Sequence, residues 1–536
     1  MKRFLLTVLL VAATACFTTA QQFYSHQQEA EFLENISSSY AENANLEVIG
    51  KSAGGKDIHV LTIGKGDSGN KPALLIVAGI EADDLTGTSS ANYFIEKFLS
   101  DDSLVDKLET FTIYVIPKLS PDPTEGYFAS PKMYFHGNLT KDDQDRDGEY
   151  DEDGYEDINN DGKITLMRIK DHNGTYSEHK DLKGYMKTAD VNSGEIGKYI
   201  VMYEGFDNDN DGKINEDPVG GTDVNRNFTN DYKPYTDEGG PHPFSADELR
   251  ALGNFVFDHP NIVAIYSFTY HNNISEPWKI KYPSKSGSEN YFQADSIAYS
   301  SFIKSLDKNF TYKGGKKNPG DISGWAFYDT GRFNFTSPAF AYPEVKDTSK
   351  SKDKKNDKLT REELAYKWLL ENNPGMIIEW TKINDKRFGD KEIELGGTEP
   401  FVLNNPPVDS LDSANKNNFE LLTKIFGALP LLKVDKPKVE KLSGNVSRVT
   451  FTLSNEGTLP THTVVGRRVK ALRPILIKTK LDNSMEIKTG HRIEFIEDPL
   501  PGGASVTKSF IITGNGKAEF EIGSPSAGIL NISINL

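Results

Sequence analysis

The chain has 536 residues, of which 37% are hydrophobic, and a formal net charge of −17 at pH 7. This length allows two or more hydrophobic cores and excludes a single small domain. The negative charge argues against non-specific binding to nucleic acid, because one polyanion repels another.

The first twenty residues predict a secretory signal peptide. A basic start, Met1–Arg3, precedes an apolar stretch too short to span a bilayer, and no later run is long enough. Cleavage after Ala20 is expected. The alternative is lipoprotein processing at Cys16, which would then carry a lipid. Either route predicts export to a periplasmic or extracellular location. Because Cys16 is the single cysteine, the mature chain has neither an intramolecular disulfide nor a thiolate metal site.

Helical and strand patterns then alternate. The predicted strands are apolar throughout rather than alternating, which indicates a largely parallel sheet covered on both faces. Functional residues in such sheets gather at the carboxyl ends of the strands. The predicted helices are 21–40 and 88–99, and the predicted strands are 58–64, 73–78, 111–117 and 261–268.

Three acidic loops carry oxygen-bearing side chains at every second position before a glycine. Ligands at loop positions 1, 3 and 5 with glycine at 6 suit calcium, which needs six to eight oxygens. No loop has Glu at position 12, so other ligands must come from elsewhere. The alternative is solvated turns, although the repetition favours calcium. Within 143–165 and 207–217, the candidate ligands are Asp143, Asp145, Asp147, Asp157, Asn159, Asp161, Asp207, Asp209 and Asp211.

A candidate carboxylate clamp follows the third acidic loop. Asn225 and Arg226 stand together in the run DVNRNF, after a turn at Gly220-Gly221. An arginine beside an amide can fork onto a carboxylate. The alternative is that Arg226 ties its own loop to Asp223.

These pieces, in this order, resemble zinc metallocarboxypeptidases of the carboxypeptidase A type, particularly a bacterial branch with acidic DxDxDG insertions. The resemblance implies an α/β fold, a three-layer α/β/α sandwich with a mixed eight-stranded sheet, over residues 21–435. It also implies removal of C-terminal residues by a zinc-bound water. The segments that carry it are Gly50–Lys56, Gly79–Asp84, Ser120–Tyr127, Asn225–Phe228, Glu392–Gly397 and Asn405–Pro407.

The zinc ligands implied by the resemblance are replaced. The family's His-x-x-Glu pair falls at Glu81 and Asp84, and its third ligand falls at Phe268, whose ring cannot coordinate zinc. Two alternatives would retain a metal. His271 could take the ligand role if the strand ended later, although that register shift would turn its neighbours over. Glu81 and Asp84 could instead hold calcium or magnesium with water.

Two further catalytic groups of the family are also in doubt. An arginine that stabilises the oxyanion is expected near His136-Gly137-Asn138, where none is present. The general base falls at Pro338, or at Glu344 if the loop carries an insertion. Only the clamp formed by Asn225 and Arg226 matches the family.

The C-terminal part changes pattern. Residues 346–359 predict a charged surface loop, a helix follows Thr360, and 415–429 predicts an amphipathic helix. From 436 to 536, short alternating segments separated by turn residues predict an all-β sandwich similar in layout to fibronectin or immunoglobulin-like modules. We expect it to serve in adhesion, spacing or stabilisation.

Together these features predict an exported, calcium-stabilised family member with a degraded zinc site. It is expected to bind peptide C-termini or other carboxylates through Asn225 and Arg226 without hydrolysis, and zinc is not expected. One alternative is an active metallocarboxypeptidase with rearranged ligands. Another is a structural or adhesion protein. The sequence leaves the oligomeric state open.

Overall fold

The structure is a computed structural model that describes residues 23–143, 148–236, 238–275, 289–306, 312, 314–315, 317–343 and 359–536. The predicted signal peptide, Cys16, Asp145, Asp147 and Glu344 lie outside the described residues. Within the described ranges, no helix combines the length and apolar character needed to cross a bilayer.

The larger N-terminal part mixes helices with strands. Its helices are α1 (His26–Ser39), α2 (Leu85–Leu99), α3 (Asp247–Asp258), α4 (Glu289–Ser305), α5 (Arg361–Asn372) and α6 (Val408–Phe426). Its strands are β1 (Ala44–Lys51), β2 (Asp57–Ile63), β3 (Ala73–Val77), β4 (Thr112–Ile116), β5 (Leu166–Lys170), β6 (Tyr176–Glu178), β7 (Met186–Thr188), β8 (Tyr199–Tyr203), β9 (Ile262–Phe268), β10 (Phe333–Ser337), β11 (Ile377–Ile383) and β12 (Ile393–Thr398).

The central sheet is mixed, as predicted. Its order is β1-β2-β4-β3-β9-β10, with parallel pairing among β4, β3, β9 and β10 and antiparallel pairing at β1 and β2. The described residues supply six strands of this sheet, against the eight expected for the whole. The strands predicted at 58–64, 73–78, 111–117 and 261–268 are β2, β3, β4 and β9 within two residues.

Helices cover both faces of this sheet, which gives three layers. Leu74 and Ile76 of β3 pack in one core with α1, α2 and α6, whereas Leu75 and Val77 pack in another with α3. This division explains the uninterrupted apolar run, since successive residues of a strand face opposite layers. Helix α6 starts seven residues before its predicted beginning at 415.

A second sheet, which was not predicted, is built from strands β5 to β8, β11 and β12. Its order is β11-β12-β5-β8-β6-β7, and every pair is antiparallel. It has a small core of its own around Met167, Phe206 and Ile393. We call it the accessory sheet. Strand β12 contains residues 393–397 of the segment that the family resemblance had identified only by its sequence.

The C-terminal part is a sandwich of antiparallel sheets, as predicted. One sheet has the order β13-β15-β19-β17, with β14 also on β15, and the other has the order β18-β16-β20-β21. Phe451, Phe510 and Phe520 meet between them. The strands are β13 (Leu432–Val434), β14 (Lys438–Ser443), β15 (Val446–Asn455), β16 (Ile475–Leu481), β17 (Glu486–Thr489), β18 (Ile493–Ile496), β19 (Ser505–Thr513), β20 (Lys517–Ser524) and β21 (Gly528–Asn535), and helix α7 is Val464–Arg468.

The two parts meet at a close seam. Asp295 of α4 accepts hydrogen bonds from the backbone N–H groups of Val464 and Val465, at 2.9 and 3.1 Å. The Thr463 hydroxyl donates to the carbonyl of Gly331, which precedes β10. The sandwich is therefore anchored directly to the turn that leads into β10, an edge strand of the six-stranded sheet described.

Candidate functional site

The carboxyl ends of β3 and β9 converge with the Asp223–Asn227 turn. Asn225 lies in that turn, and its Nδ2 donates to Glu81 Oε1 at 2.7 Å. Glu81 follows β3, while Tyr270, just beyond β9, donates its backbone N–H to the same oxygen at 3.3 Å. Three distant segments therefore meet at one carboxyl group, at the sheet edge where the sequence predicted the site.

Glu81 is buried, and its carboxyl group holds the loops together. Burial, together with the nearby carboxylates of Asp223 and Asp83, raises its pKa to about 8. The group is therefore mostly protonated at neutral pH. A protonated carboxyl that already accepts two hydrogen bonds is a poor metal ligand.

Asp84 caps helix α2. Its Oδ1 accepts the backbone N–H of Gly87 at 2.8 Å, which satisfies one of the free donors of the first turn. Burial raises the pKa of Asp84 to about 6. A Cβ added at Gly87 would lie 2.5 Å from Asp84 Oδ2 and 3.0 Å from Phe268 Cβ, so Asp84 and Phe268 approach each other at this glycine.

Phe268 is the last residue of β9 and has no exposed surface. Its ring lies edge-to-face with Tyr266 at 4.9 Å, and the strand pairs Phe268 with Ser337 of β10 in parallel register. His271 lies beyond the strand end, bridged to Gly315. The register is fixed by pairing on both sides of β9, so His271 does not occupy the position of Phe268.

These residues do not fit a catalytic zinc ion. Zinc needs three nitrogen, sulfur or carboxylate donors that converge on one point. Phe268 offers none, Glu81 is engaged, and Asp84 serves the helix. Among the described residues, the only group of three or more His, Cys, Asp or Glu side chains whose ligand atoms lie within 4.8 Å of one another is Asp207, Asp209 and Asp211.

Arg226 is held by two carboxylates of the chain itself. Its Nε lies 3.2 Å from Asp223 Oδ2, and its Nη1 pairs with Glu238. Burial raises the pKa of Asp223 to about 7, although Arg226 opposes the increase. The Arg226 side chain is 38% exposed. A ligand carboxylate would therefore reach the guanidinium from solvent and compete there with Glu238.

Both polar ends of the Asn225 side chain already form hydrogen bonds within the protein. Its Oδ1 accepts the backbone N–H of Ile322 at 3.0 Å, while its amide donates to Glu81. The two predicted clamp residues thus lie together, but the Asn225 side chain is used in hydrogen bonds to Glu81 and to the Ile322 backbone.

Asn138 lies where the oxyanion arginine was expected, and it is fully buried. Its Nδ2 donates to Glu248 at 2.8 Å, and its Oδ1 accepts the N–H of Thr222 at 3.2 Å. This side chain ties loops together and offers nothing to a ligand.

A family model described as zinc carboxypeptidase matches residues 29–339, which is more than half of the chain. The chain belongs to the zinc carboxypeptidase family. A second model, described as a domain of unknown function, matches residues 431–535 and so coincides with the sandwich.

Curated members of the zinc carboxypeptidase family are distant from this chain. Carboxypeptidase B of Astacus astacus is 26% identical over 113 residues, which cover 21% of this chain and 37% of that protein. A metallocarboxypeptidase A-like protein of Trichophyton verrucosum is 26% identical over 107 residues, covering 20% and 25%. The chain thus matches well under half the length of these relatives. The solved carboxypeptidase A of Helicoverpa armigera is 12% identical with a TM-score of 0.40, covering 76% of this chain and 73% of that one.

The acidic loops of this zinc carboxypeptidase-family protein share one turn. In each, the carboxylate at position 1 accepts the N–H of the glycine at position 6, and that glycine has a positive φ. The pairs are Asp143 with Gly148 at 3.1 Å, Asp157 with Gly162 at 2.7 Å and Asp207 with Gly212 at 3.1 Å. In the second loop, Asn159 and Asp161 hydrogen-bond each other at 3.1 Å.

The sequence analysis assigned no role to three residues at the site, Asn405, Asp83 and Tyr270. Asn405 Oδ1 accepts the N–H groups of Leu85 and Thr86 at 3.0 and 3.1 Å, at the start of α2. Asp83 accepts from the Tyr270 hydroxyl. The Asn-Pro-Pro run identified Asn405 as part of a motif, but not as a support for α2. No sequence signal pairs Asp83 with Tyr270.

Proposed function

We propose that this protein is an exported zinc carboxypeptidase-family member that binds a carboxylate ligand, such as a peptide C-terminus, without hydrolysing it. The observation that supports the proposal is the complete burial of Phe268, the residue that the family resemblance aligns with the third zinc ligand. A phenyl ring without exposed surface offers no donor and leaves no space for an ion there.

The rest of the catalytic constellation supports the same proposal. Hydrolysis by this family needs a zinc-bound water, a general base and a group that stabilises the oxyanion. Glu81 is mostly protonated and accepts two hydrogen bonds, and Asn138 is buried against Glu248. No step through zinc can be built from these residues.

Arg226 is the group we propose for carboxylate recognition. Asp223 holds one side of its guanidinium, which fixes the orientation of the side chain. Glu238 occupies the solvent side and is itself partly exposed. A ligand carboxylate would exchange with Glu238 and make a charge-assisted contact.

Calcium is the ion that we propose for the acidic loops. Asp207, Asp209 and Asp211 have carboxylate oxygens within 4.8 Å of one another, and each loop has the turn that calcium loops use. The proposed role is stabilisation of the 207–217 segment, which leads into the Asn225 turn.

The absence of hydrolysis is tested by metal analysis of the purified mature chain together with a chromogenic carboxypeptidase assay. We expect less than stoichiometric zinc and no turnover when zinc is added, with an active zinc carboxypeptidase as the positive control. One zinc per chain together with C-terminal cleavage would overturn the proposal and favour an active enzyme with rearranged ligands.

The carboxylate clamp is tested by replacing Arg226 with Ala. Binding of peptides with a free C-terminus is compared with binding of the same peptides amidated. We expect R226A to weaken binding of the free form about tenfold or more, since hydrogen bonds to charged groups contribute about 1.5–3 kcal/mol. Arg250→Ala, at an exposed arginine that also pairs with an aspartate three residues away, is the matched control. Equal binding by R226A and the parent would favour the structural or adhesion role.

Export is proposed from the leader pattern at residues 1–20, with lipidation at Cys16 as the alternative. Mass spectrometry of the mature N-terminus distinguishes them. A chain that begins at Gln21 indicates cleavage by signal peptidase, a lipidated Cys16 indicates a lipoprotein, and an intact Met1 contradicts export.

A further inference from the structure

A small pocket of about 230 Å³ lies beside the former catalytic centre, between the Asp83 loop, the accessory sheet and the segment after β12. This volume suits one compact head group rather than an extended peptide. The lining residues that matter for its chemistry are Asp83, Tyr134, Tyr203, Glu399, Phe401 and Asn404.

Aromatic rings form much of the pocket wall. The centroids of Tyr134 and Phe401 lie 5.8 Å apart with the rings at 88°, and those of Tyr134 and Tyr203 lie 6.2 Å apart at 56°. Rings at such angles can present faces to one enclosed point, where a cation within about 6 Å is attracted by the ring quadrupole.

The same aromatic cluster already holds a cation of the chain. Phe401 contacts Tyr127 at 5.5 Å, and Lys132 Nζ lies 4.0 Å from the centroid of the Tyr127 ring. The aromatic residues next to the pocket therefore already include one that forms a cation–π contact within the protein.

The described residues that line the pocket include no basic side chain, and Asp83 and Asn404 among them carry oxygen acceptors. Asp83 receives only neutral donors in the contacts described, the hydroxyl of Tyr270 and the amide of Asn404. Asn404 Oδ1 is buried and receives no donor from the part of the chain that the structure describes. Positive charge is therefore favoured in this space, and a ligand that also donates a hydrogen bond would satisfy Asn404 Oδ1.

Two nearby cations of the chain are already engaged, and one of them pairs with Glu399 of the pocket lining. Lys163 pairs with Glu399 at 2.5 Å, and Arg361 stacks on Tyr270 at 4.0 Å while donating to the Phe340 carbonyl. An anion entering the pocket would face Asp83 without a counter-charge on the lining, and Glu81 and Asp223 lie close to Asp83.

We propose that this pocket binds a small organic cation, with an ammonium or quaternary ammonium group enclosed by Tyr134, Tyr203 and Phe401 beside the Asp83 carboxylate. The ligand class is an amine or a trimethylammonium compound. The proposal does not depend on Arg226, which contributes nothing to the lining, and it adds a second recognition chemistry to the former active centre.

The test is calorimetric titration of the full mature chain with choline, tetramethylammonium and n-butylammonium, each beside a neutral analogue. For choline the analogue is 3,3-dimethylbutan-1-ol, which has the same shape without the charge. We expect at least one cation to bind about tenfold or more tightly than its analogue, since cation–π and carboxylate contacts both depend on the charge. Equal binding within every pair, or no binding by any of the cations, overturns the proposal.

Variants locate the site. Tyr134→Leu and Asp83→Asn should each weaken cation binding about three- to thirtyfold. Tyr150→Leu, which removes an exposed tyrosine near Lys141 on the acidic segment, should leave it unchanged. If either pocket variant fails to fold, as judged by circular dichroism, Phe401→Leu replaces it. Unchanged affinity in a folded pocket variant contradicts the assignment.

The Arg226→Ala variant separates the carboxylate-clamp proposal from the cation-pocket proposal. Arg226→Ala should retain cation binding while losing binding of free peptide C-termini. Loss of both in a folded R226A protein would contradict a cation pocket that is independent of the clamp.

Discussion

Glu81 and Asp223 place two carboxyl groups near each other in a buried part of the candidate functional site. Burial is the main reason that their pKa values rise, to about 8 and about 7, and Asp83 raises both. At neutral pH the cluster therefore carries less negative charge than its composition indicates. Hydrogen bonds from Asn225 and Tyr270 orient Glu81 and partly offset the cost of its burial.

The raised pKa of Glu81 predicts a pH-dependent stability. The folded state binds the proton more tightly than the unfolded chain, so stability is greatest below about pH 4.5 for this group and is lost as pH rises towards about 8. Glu81→Gln keeps an oxygen acceptor and removes the charge. We expect it to be more stable than the parent at pH 9, on the order of 2–4 kcal/mol, and to flatten the decline between pH 6 and 9.

Thermal unfolding at both pH values measures this effect. Glu34→Gln, at an exposed position of α1, should leave the pH dependence unchanged. An unaltered slope in E81Q would mean that Glu81 is ionised in the folded protein at neutral pH.

At the scale of elements, the acidic loops are the structures most dependent on their surroundings. Asp207, Asp209 and Asp211 bring three carboxylates together, and repulsion among them opposes the turn that Gly212 closes with a φ of 96°. Backbone N–H donors at Gly212 and Lys213 satisfy some of the oxygens. A bound cation would remove the repulsion, which is the physical reason to expect calcium.

Chelation should therefore lower the melting temperature by several degrees, because a ligand at a hundred times its Kd stabilises the fold by about 2.7 kcal/mol. Asp209→Asn should reduce that calcium-dependent shift. Glu420→Gln, which also removes one exposed negative charge but lies on α6, should not. Differential scanning fluorimetry with calcium, with EGTA, and with EGTA plus magnesium measures the effect. Identical melting in all three conditions would indicate plain solvated turns.

At the scale of the whole molecule, the seam between the carboxypeptidase-like part and the sandwich is closely packed. Gly331 has a φ of 67°, and a Cβ added there would overlap the backbone of Gly466 at the start of α7. The overlap is with main chain, so no side-chain rotation relieves it. Glycine is required at this position both for its conformation and for the close approach.

Gly331→Ala should therefore loosen the seam, with an expected cost of about 1–3 kcal/mol. Calorimetry should show the sandwich and the larger part unfolding at more separated temperatures, and proteolysis near residues 427–438 should be faster. Gly375→Ala is the control, since no heavy atom lies within 4 Å of its added Cβ. Unchanged unfolding in G331A would mean that the two parts are coupled elsewhere.

The sequence alone determined those strands and helices whose pattern of apolar and polar residues reports which of their faces are buried. Strands β3, β4 and β9 are continuous apolar runs because each faces two helical layers. Strand β15 alternates because one face is buried and the other is not. The start of α5 after Thr360 was predicted, and the structure shows that Thr360 and Glu363 form a capping box there. The order of motifs also identified the family, whereas the assignment of Phe268 to a zinc-ligand position stays a prediction from that resemblance.

Tertiary structure alone decided which distant residues meet. The accessory sheet pairs β5 with β12, more than two hundred residues apart, through short strands that carry little periodic signal. Glu81 meets Asn225 across 144 positions, and Arg226 takes Glu238 as a partner. The pocket beside Asp83 likewise draws its walls from several distant segments. Such contacts depend on side-chain distances across the fold, which local sequence patterns do not encode.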